Sequence, residues 1–180
     1  TTLLDGKVFL TGWYLVEMYD PATDLWSPVG EPKRKYLARG TTATVLNDGT
    51  VFMVGGSSFP PNKWQGDTHH PVGSSEIYNP SDGSLATSTS MATPRQYHSA
   101  ILLNNGDVLV VGGISMETFN PVTKIWTESG ILIHERDQMH TATMLNDGRV
   151  LIAGGRMETD DKKIRSLSFV EFYDPYAVKE

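Results

Sequence analysis

Two adjacent histidines beside an aspartate are the first residues here with a chemical look. His69 and His70 follow Asp67 closely in the stretch SSFPPNKWQGDTHHPVG, and imidazole and carboxylate donors at such spacing can hold a metal ion. Adjacent histidines in a Pro- and Gly-rich segment are more often solvated, so no metal and no cofactor is assigned. The same segment carries Phe59 and Trp64. Two readings stand for Trp64: a platform for a sugar or an anchor in a protein interface, or a side chain folded down over its own loop. A second polar cluster, RMETDDKKIRSLSF at 156–169, alternates acids and bases and includes Arg156, Asp160, Lys163 and Arg165. It reads as a solvated face or as the polar rim of a partner site. His98 and His140 invite a catalytic reading, because a free imidazole titrates near neutrality, and each has an arginine shortly before it, Arg95 and Arg136.

Repetition decides how the histidines are read. TTATVLNDGTVFMVGG (41–56), HSAILLNNGDVLVVGG (98–113) and HTATMLNDGRVLIAGG (140–155) are one string written three times, and a worn copy, TTLLDGKVFLTG, opens the chain. The copies align on Gly6, Gly49, Gly106 and Gly148. Each runs on to a second landmark: EMYDP with Tyr19, EIYNP with Tyr78, ETFNP with Phe119 and EFYDP with Tyr173. Trp26 and Trp126 follow in two units. A period of about 45 residues belongs to propellers and solenoids. A histidine that recurs with the repeat is explained by architecture, as a side chain tying one hairpin to its neighbour. Glu17, Glu76, Glu117 and Glu171 recur likewise and read as fasteners rather than general acids.

Each unit must supply four short strands to position these residues. Asp-Gly or Asn-Gly between apolar runs signals a hairpin, and a type I′ turn with positive φ at both central residues is the expectation. The apolar runs beside it lack alternation, as strands buried on both faces do. They end in Gly55-Gly56, Gly112-Gly113 and Gly154-Gly155, glycine pairs suited to close backbone approach. Glu-x-Tyr-Asp-Pro closes a third strand, since proline cannot donate to a ladder and the Asp or Asn caps the turn, and the Trp-bearing segment is the fourth. No helical period is visible.

The arrangement H-x-A-x-x-L-x-x-G-x-V-x-x-x-G-G, then E-x-Y-D-P, then Trp, resembles the kelch repeat over essentially the whole chain. Its Asp-Gly form is also similar to the repeats of galactose oxidase-like propellers. The departures are Thr11-Gly12 for Gly-Gly in the first unit, Thr41 where later units have His98 and His140, and no Trp in the second unit. The resemblance implies an all-β fold, a β-propeller of four-stranded antiparallel blades forming a single propeller region, with blades near 1–30, 31–91, 92–130 and 131–180. Kelch propellers usually have six or seven blades. This chain starts inside a first strand and stops after a third, so the expectation is a segment of a larger ring, completed by remaining blades or by self-association.

Composition bounds the partners. A net charge of −6 argues against a nucleic-acid footprint, and no apolar run approaches the roughly 20 residues of a spanning helix, so no membrane insertion is expected. The 17 glycines and 10 prolines are dispersed, as turn punctuation is. Without cysteine the copper and cysteine-linked tyrosine centre of a galactose oxidase-like enzyme cannot be built from these residues, and the compartment stays open, with a lean to the extracellular side or cell surface. In a four-stranded meander the strand 2–3 connection and the joint to the next unit share one end. The long 2–3 connections, after Gly56 and after Gly155, fall there with the joints 31–40 and 131–139, and long loops carry function. The expected function is a non-enzymatic kelch-type binding module offering that loop face to a protein or glycan. The alternative is part of a carbohydrate-active kelch-fold enzyme, galactose oxidase-like or sialic-acid mutarotase-like; no catalytic constellation is visible.

Overall fold

The structure, a computed structural model, describes residues 1–12, 16–30, 40–58, 70–159 and 161–177. Among them are strands and turns and no helix. The chain divides into two compact units, Thr1–Gln96 and Tyr97–Glu180; the first holds two larger antiparallel sheets and a two-stranded ribbon, the second two antiparallel sheets.

In the first unit, β1 (Val8–Thr11), β2 (Val16–Asp20) and β3 (Leu25–Gly30) form a sheet in that order. An isolated bridge from Thr2 to Val8 adds the stub of a further strand. The second sheet runs β4 (Thr41–Val45), β5 (Val51–Gly55), β8 (Ser75–Asn79), β9 (Ser84–Ser88). Between β5 and β8 the chain makes a two-stranded ribbon from β6 (Ser57–Ser58) and β7 (His70–Pro71). Phe9, Val16 and Met18 of the first sheet pack on Val51, Met53 and Tyr78 of the second. Every residue of β5 is buried, which is why its sequence VFMVG shows no alternation.

The second unit repeats this plan. β10 (Ser99–Leu102), β11 (Val108–Asn120) and β12 (Ile125–Arg136) form the third sheet. β11 is one unbroken run of 13 residues, which if straight would put its ends about 40 Å apart. Yet Asn120 Nδ2 donates to Asp107 Oδ1 at 2.8 Å, so the run doubles back. Gly113, at φ +63°, marks the fold: β10 pairs with the half before it and β12 with the half from Gly113 onward. The fourth sheet has β13 (Gln138–Met144) against β14 (Val150–Glu158), and β14 also pairs with β15 (Ile164–Ser166) and β16 (Val170–Tyr173). Leu109, Val111 and Met116 of the third sheet pack on Val150, Ile152 and Tyr173 of the fourth.

The all-β, antiparallel expectation is met. Two local expectations need correction. The Asp-Gly turns are not type I′, because only the glycine has positive φ: +86° at Gly6, +82° at Gly49, +88° at Gly106 and +87° at Gly148. Gly49 N–H donates to Leu46 O at 3.0 Å and Leu46 N–H to Thr50 O at 2.8 Å, the pattern of a type I turn followed by a left-handed bulge residue. The Asp or Asn before each glycine serves as an acceptor instead. Its Oδ1 takes the N–H two residues on, in Lys7, Thr50, Asp107 and Arg149, at 3.0–3.1 Å. The joint expected at 131–139 is not irregular either, since β12 continues through it to Arg136.

Candidate functional site

The long 2–3 connection of the second unit is built as a ribbon over its described residues. In the second unit β14 runs past Gly155 and pairs with β15: Arg156 opposite Ser166, Met157 opposite Arg165, Glu158 opposite Ile164. The tip is closed by Thr159, whose N–H and Oγ1 both donate to Lys163 O at 2.9 Å, with Lys162 in the left-handed region at φ +58°. The base is fixed to the joint from the preceding sheet, where Asp137 N–H donates to Arg156 O and Glu158 N–H to Asp137 Oδ2, both at 2.8 Å. The first unit uses the same device. Gly56 N–H donates to Arg95 O at 2.8 Å and Arg95 N–H to Val72 O at 3.3 Å, so the joint grips the ribbon's base there too.

The sequence-selected residues fall on this geometry as follows. Arg156, Lys163 and Arg165 are exposed on the second unit's ribbon, and Lys163 Nζ lies 2.6 Å from Asp161 Oδ2. The Lys163 side chain holds Asp161 below the ordinary carboxylate range, aided by Thr159. His70 is an exposed residue of β7, opposite Ser58. Phe59, Trp64, Asp67, His69 and Asp160 lie outside the described residues. Among the described residues, no three His, Cys, Asp or Glu side chains are grouped so as to hold a metal, and no helix is long and apolar enough to cross a membrane.

Below the ribbon lies the arginine network. Arg136 is fully buried; its Nη1 donates to Gly154 O and, at 3.3 Å, to Phe169 O, while its Nη2 donates to Glu171 Oε1 at 2.8 Å. Glu171 also accepts the N–H of Ile133 at 2.6 Å and of His134 at 3.3 Å, both from β12. One carboxylate thus joins β16 to the strand arriving from the neighbouring sheet. Burial works against its charge, but the Ile133 N–H and Arg136 more than offset it and hold the carboxyl below its ordinary value. His134 stacks on Phe169 at 4.1 Å and 9°. His140 Nε2 sits 2.9 Å from Val111 O. A carbonyl only accepts, so Nε2 carries a proton and donates it. Burial lowers its pKa, the Val111 carbonyl partly opposes that, and the Arg136 charge lowers it further. The ring ties the fourth sheet to the third and is not poised for proton transfer. His98, Glu76 and Glu117 are buried at the matching positions.

Sequence reasoning missed one local feature. Tyr97 and Met139, immediately before the two histidines, both have positive φ, 54° and 59°; the shared Gln-x-His of RQYH and DQMH was the available signal. The expected cap forms in all four copies: the Asp or Asn of the E-x-Y-D-P landmark accepts the N–H two residues on at 2.9–3.0 Å, in Ala22, Ser81, Val122 and Tyr176. The landmark aromatic faces the following tryptophan across the ladder: Tyr19 and Trp26 at 5.1 Å, Phe119 and Trp126 at 5.0 Å. No family model matches the chain.

Proposed function

We propose that this chain is a non-enzymatic binding module, a run of four kelch-type propeller blades that presents its ribbon end to a protein or glycan. The observation that carries this reading is the β14–β15 ribbon. A strand buried in its sheet continues outward, pairs with a partner strand and is clamped at its base by Asp137. It therefore holds Arg156, Lys163 and Arg165 in fixed register, with Glu158 and Asp161 between them. Preorganised side chains lose less entropy on binding than those on a loose loop. The buried histidine and arginine network is occupied in joining strands, which supports a structural rather than a catalytic use of those residues. Trp64, by its place in the sequence, and His70, exposed on β7, belong to the corresponding connection of the first unit and are proposed as binding residues there.

A glycan array and a panel of candidate protein ectodomains, with surface plasmon resonance on any hit, form the test. Replacing Arg156, Lys163 and Arg165 together by Ala should weaken binding at least about tenfold while leaving the melting temperature unchanged. Trp64→Ala should do the same. Binding that survives both changes and is instead lost on altering the turns at Asp48 and Asp147 would place the functional face at the other end.

A further inference from the structure

The four hairpin turns read LDGK, NDGT, NNGD and NDGR, and one departs from the rest in two places at once. Three put aspartate before the glycine and a cation or hydroxyl after it: Asp5 with Lys7, Asp48 with Thr50, Asp147 with Arg149. The turn before β11 exchanges the roles, with Asn105 before Gly106 and Asp107 after it, the only Asn-Gly in the sequence. The exchange is complementary. Thr50 Oγ1 donates to Asp48 Oδ1 at 2.7 Å and Arg149 Nε to Asp147 Oδ2 at 2.9 Å. At the exchanged turn the amide is the donor: Asn105 Nδ2 donates to Asp107 Oδ2 at 3.0 Å, and Asn120 Nδ2 to Asp107 Oδ1 at 2.8 Å. Asp107 thus holds an amide on each oxygen.

Asn-Gly is also the dipeptide whose side-chain amide lies most open to the main chain, because glycine has no side chain to shield its nitrogen. Asn105 is exposed. We propose that it is a site of spontaneous deamidation. The Gly106 nitrogen loses its proton to solvent base and attacks Asn105 Cγ. The new N–Cγ bond closes a succinimide, the Cγ–Nδ2 bond breaks, and the amide leaves as ammonia after taking a proton from water. Water then opens the ring, giving aspartate where the new N–Cγ bond is cut and isoaspartate where the original main-chain bond is cut. Gly106 N–H donates to Leu103 O at 2.9 Å, so attack awaits release of that bond and is gated by opening of the turn. Asn79 and Asn120 each precede proline, whose nitrogen has no proton to lose, and are closed to this route.

The aspartate product keeps one bond of the turn and loses another. Its Oδ1 accepts the Asp107 N–H, as Asp5, Asp48 and Asp147 accept the matching N–H in their own turns. It has no proton to give Asp107 Oδ2, and two carboxylates face each other where the amide stood at 3.0 Å; like charges so placed repel. Isoaspartate lengthens the main chain by one carbon between Leu103 and Asp107, whose N–H and C=O close the turn at 2.8 Å. Either product loosens the hairpin of β10 and β11. The site is independent of the binding reading and shares no residue with it.

Peptide mapping by mass spectrometry of the folded protein, aged in mildly alkaline buffer, tests this. Fragment spectra should place the exchange of an amide for a hydroxyl at Asn105, in aspartate and isoaspartate forms, while Asn47, Asn104 and Asn146 stay largely intact. Asp48→Asn installs Asn-Gly in the second turn and should create a second reacting site there. Asn105→Asp, the product made directly, should lower the melting temperature by a few degrees. Adding Asp107→Asn should restore it, because an amide then faces a carboxylate again. An Asn105 that outlasts Asn47 or Asn146, an Asp48→Asn turn that does not react, or an Asn105→Asp variant as stable as the parent would each overturn the proposal.

Discussion

Arg136 concentrates more of the second unit's organisation than any other side chain described. It is a buried cation that bonds a carboxylate and two carbonyls. Removing one member of a buried pair leaves the other uncompensated, at a cost of about 3–5 kcal/mol. Arg136→Met should lose that much in urea denaturation, and Arg136→Met with Glu171→Gln should recover a large part of it. The neutral His140 adds a pH dependence. Its pKa is lowered on folding from an ordinary 6.5, so the unfolded chain binds the proton more readily. Its contribution is full above about 6.5 and is lost as pH falls through the folded value. Glu171, lowered from 4.5, behaves with the same sign at more acid pH. Stability should therefore decline in two stages on acidification, and His140→Gln should remove the first; a flat profile between pH 7 and 5 in the parent would contradict this. At Gly155, φ is +106° and an added Cβ would stand 3.1 Å from His140 Cβ and 3.2 Å from Gln138 O. At Gly154, φ is +66° and nothing lies within 4 Å. Gly155→Ala should thus cost more than Gly154→Ala, which bears only the backbone penalty of about 1 kcal/mol. Equal losses would remove the packing argument.

Among the elements, the turn and the ribbon obey different rules. The turn before β11 uses Asn105 where the others use aspartate, and its Oδ1 makes the same bond. Asp48→Asn should accordingly leave the melting temperature nearly unchanged, whereas Asp48→Ala, which removes the acceptor for Thr50 N–H, should lower it. The ribbon takes no part in the core joining the third and fourth sheets, whose members lie in β10–β14 and β16 or at their turns. Replacing 157–164 by a short turn should therefore preserve the cooperative unfolding of the unit while deleting the proposed binding face. Loss of cooperativity would show that the ribbon supports the fold.

For the molecule as a whole, each of the two units carries a core of its own, with Met53 central in the first and Ile152 in the second. Met53→Ala and Ile152→Ala should each cost about 2–5 kcal/mol in urea denaturation. A loss well under about 1 kcal/mol at either position would show that the side chain does not support its core.

The sequence by itself determined the all-β character, the repeat and the places of the turns. Those features rest on chemistry local in the chain: a glycine supplying positive φ, an Asp or Asn accepting the N–H two residues on, an aromatic placed to meet a tryptophan across one hairpin. Even there, the turn type differed from the I′ expectation, because the aspartate carboxylate stabilises a right-handed residue before the glycine. Only the tertiary structure decided that 156–158 pairs with 164–166, that β11 is one run folded on itself, and that Arg136 reaches Glu171. Those outcomes depend on strands far apart in sequence meeting in register, and burial of that kind is a property of the assembled sheets rather than of any local string.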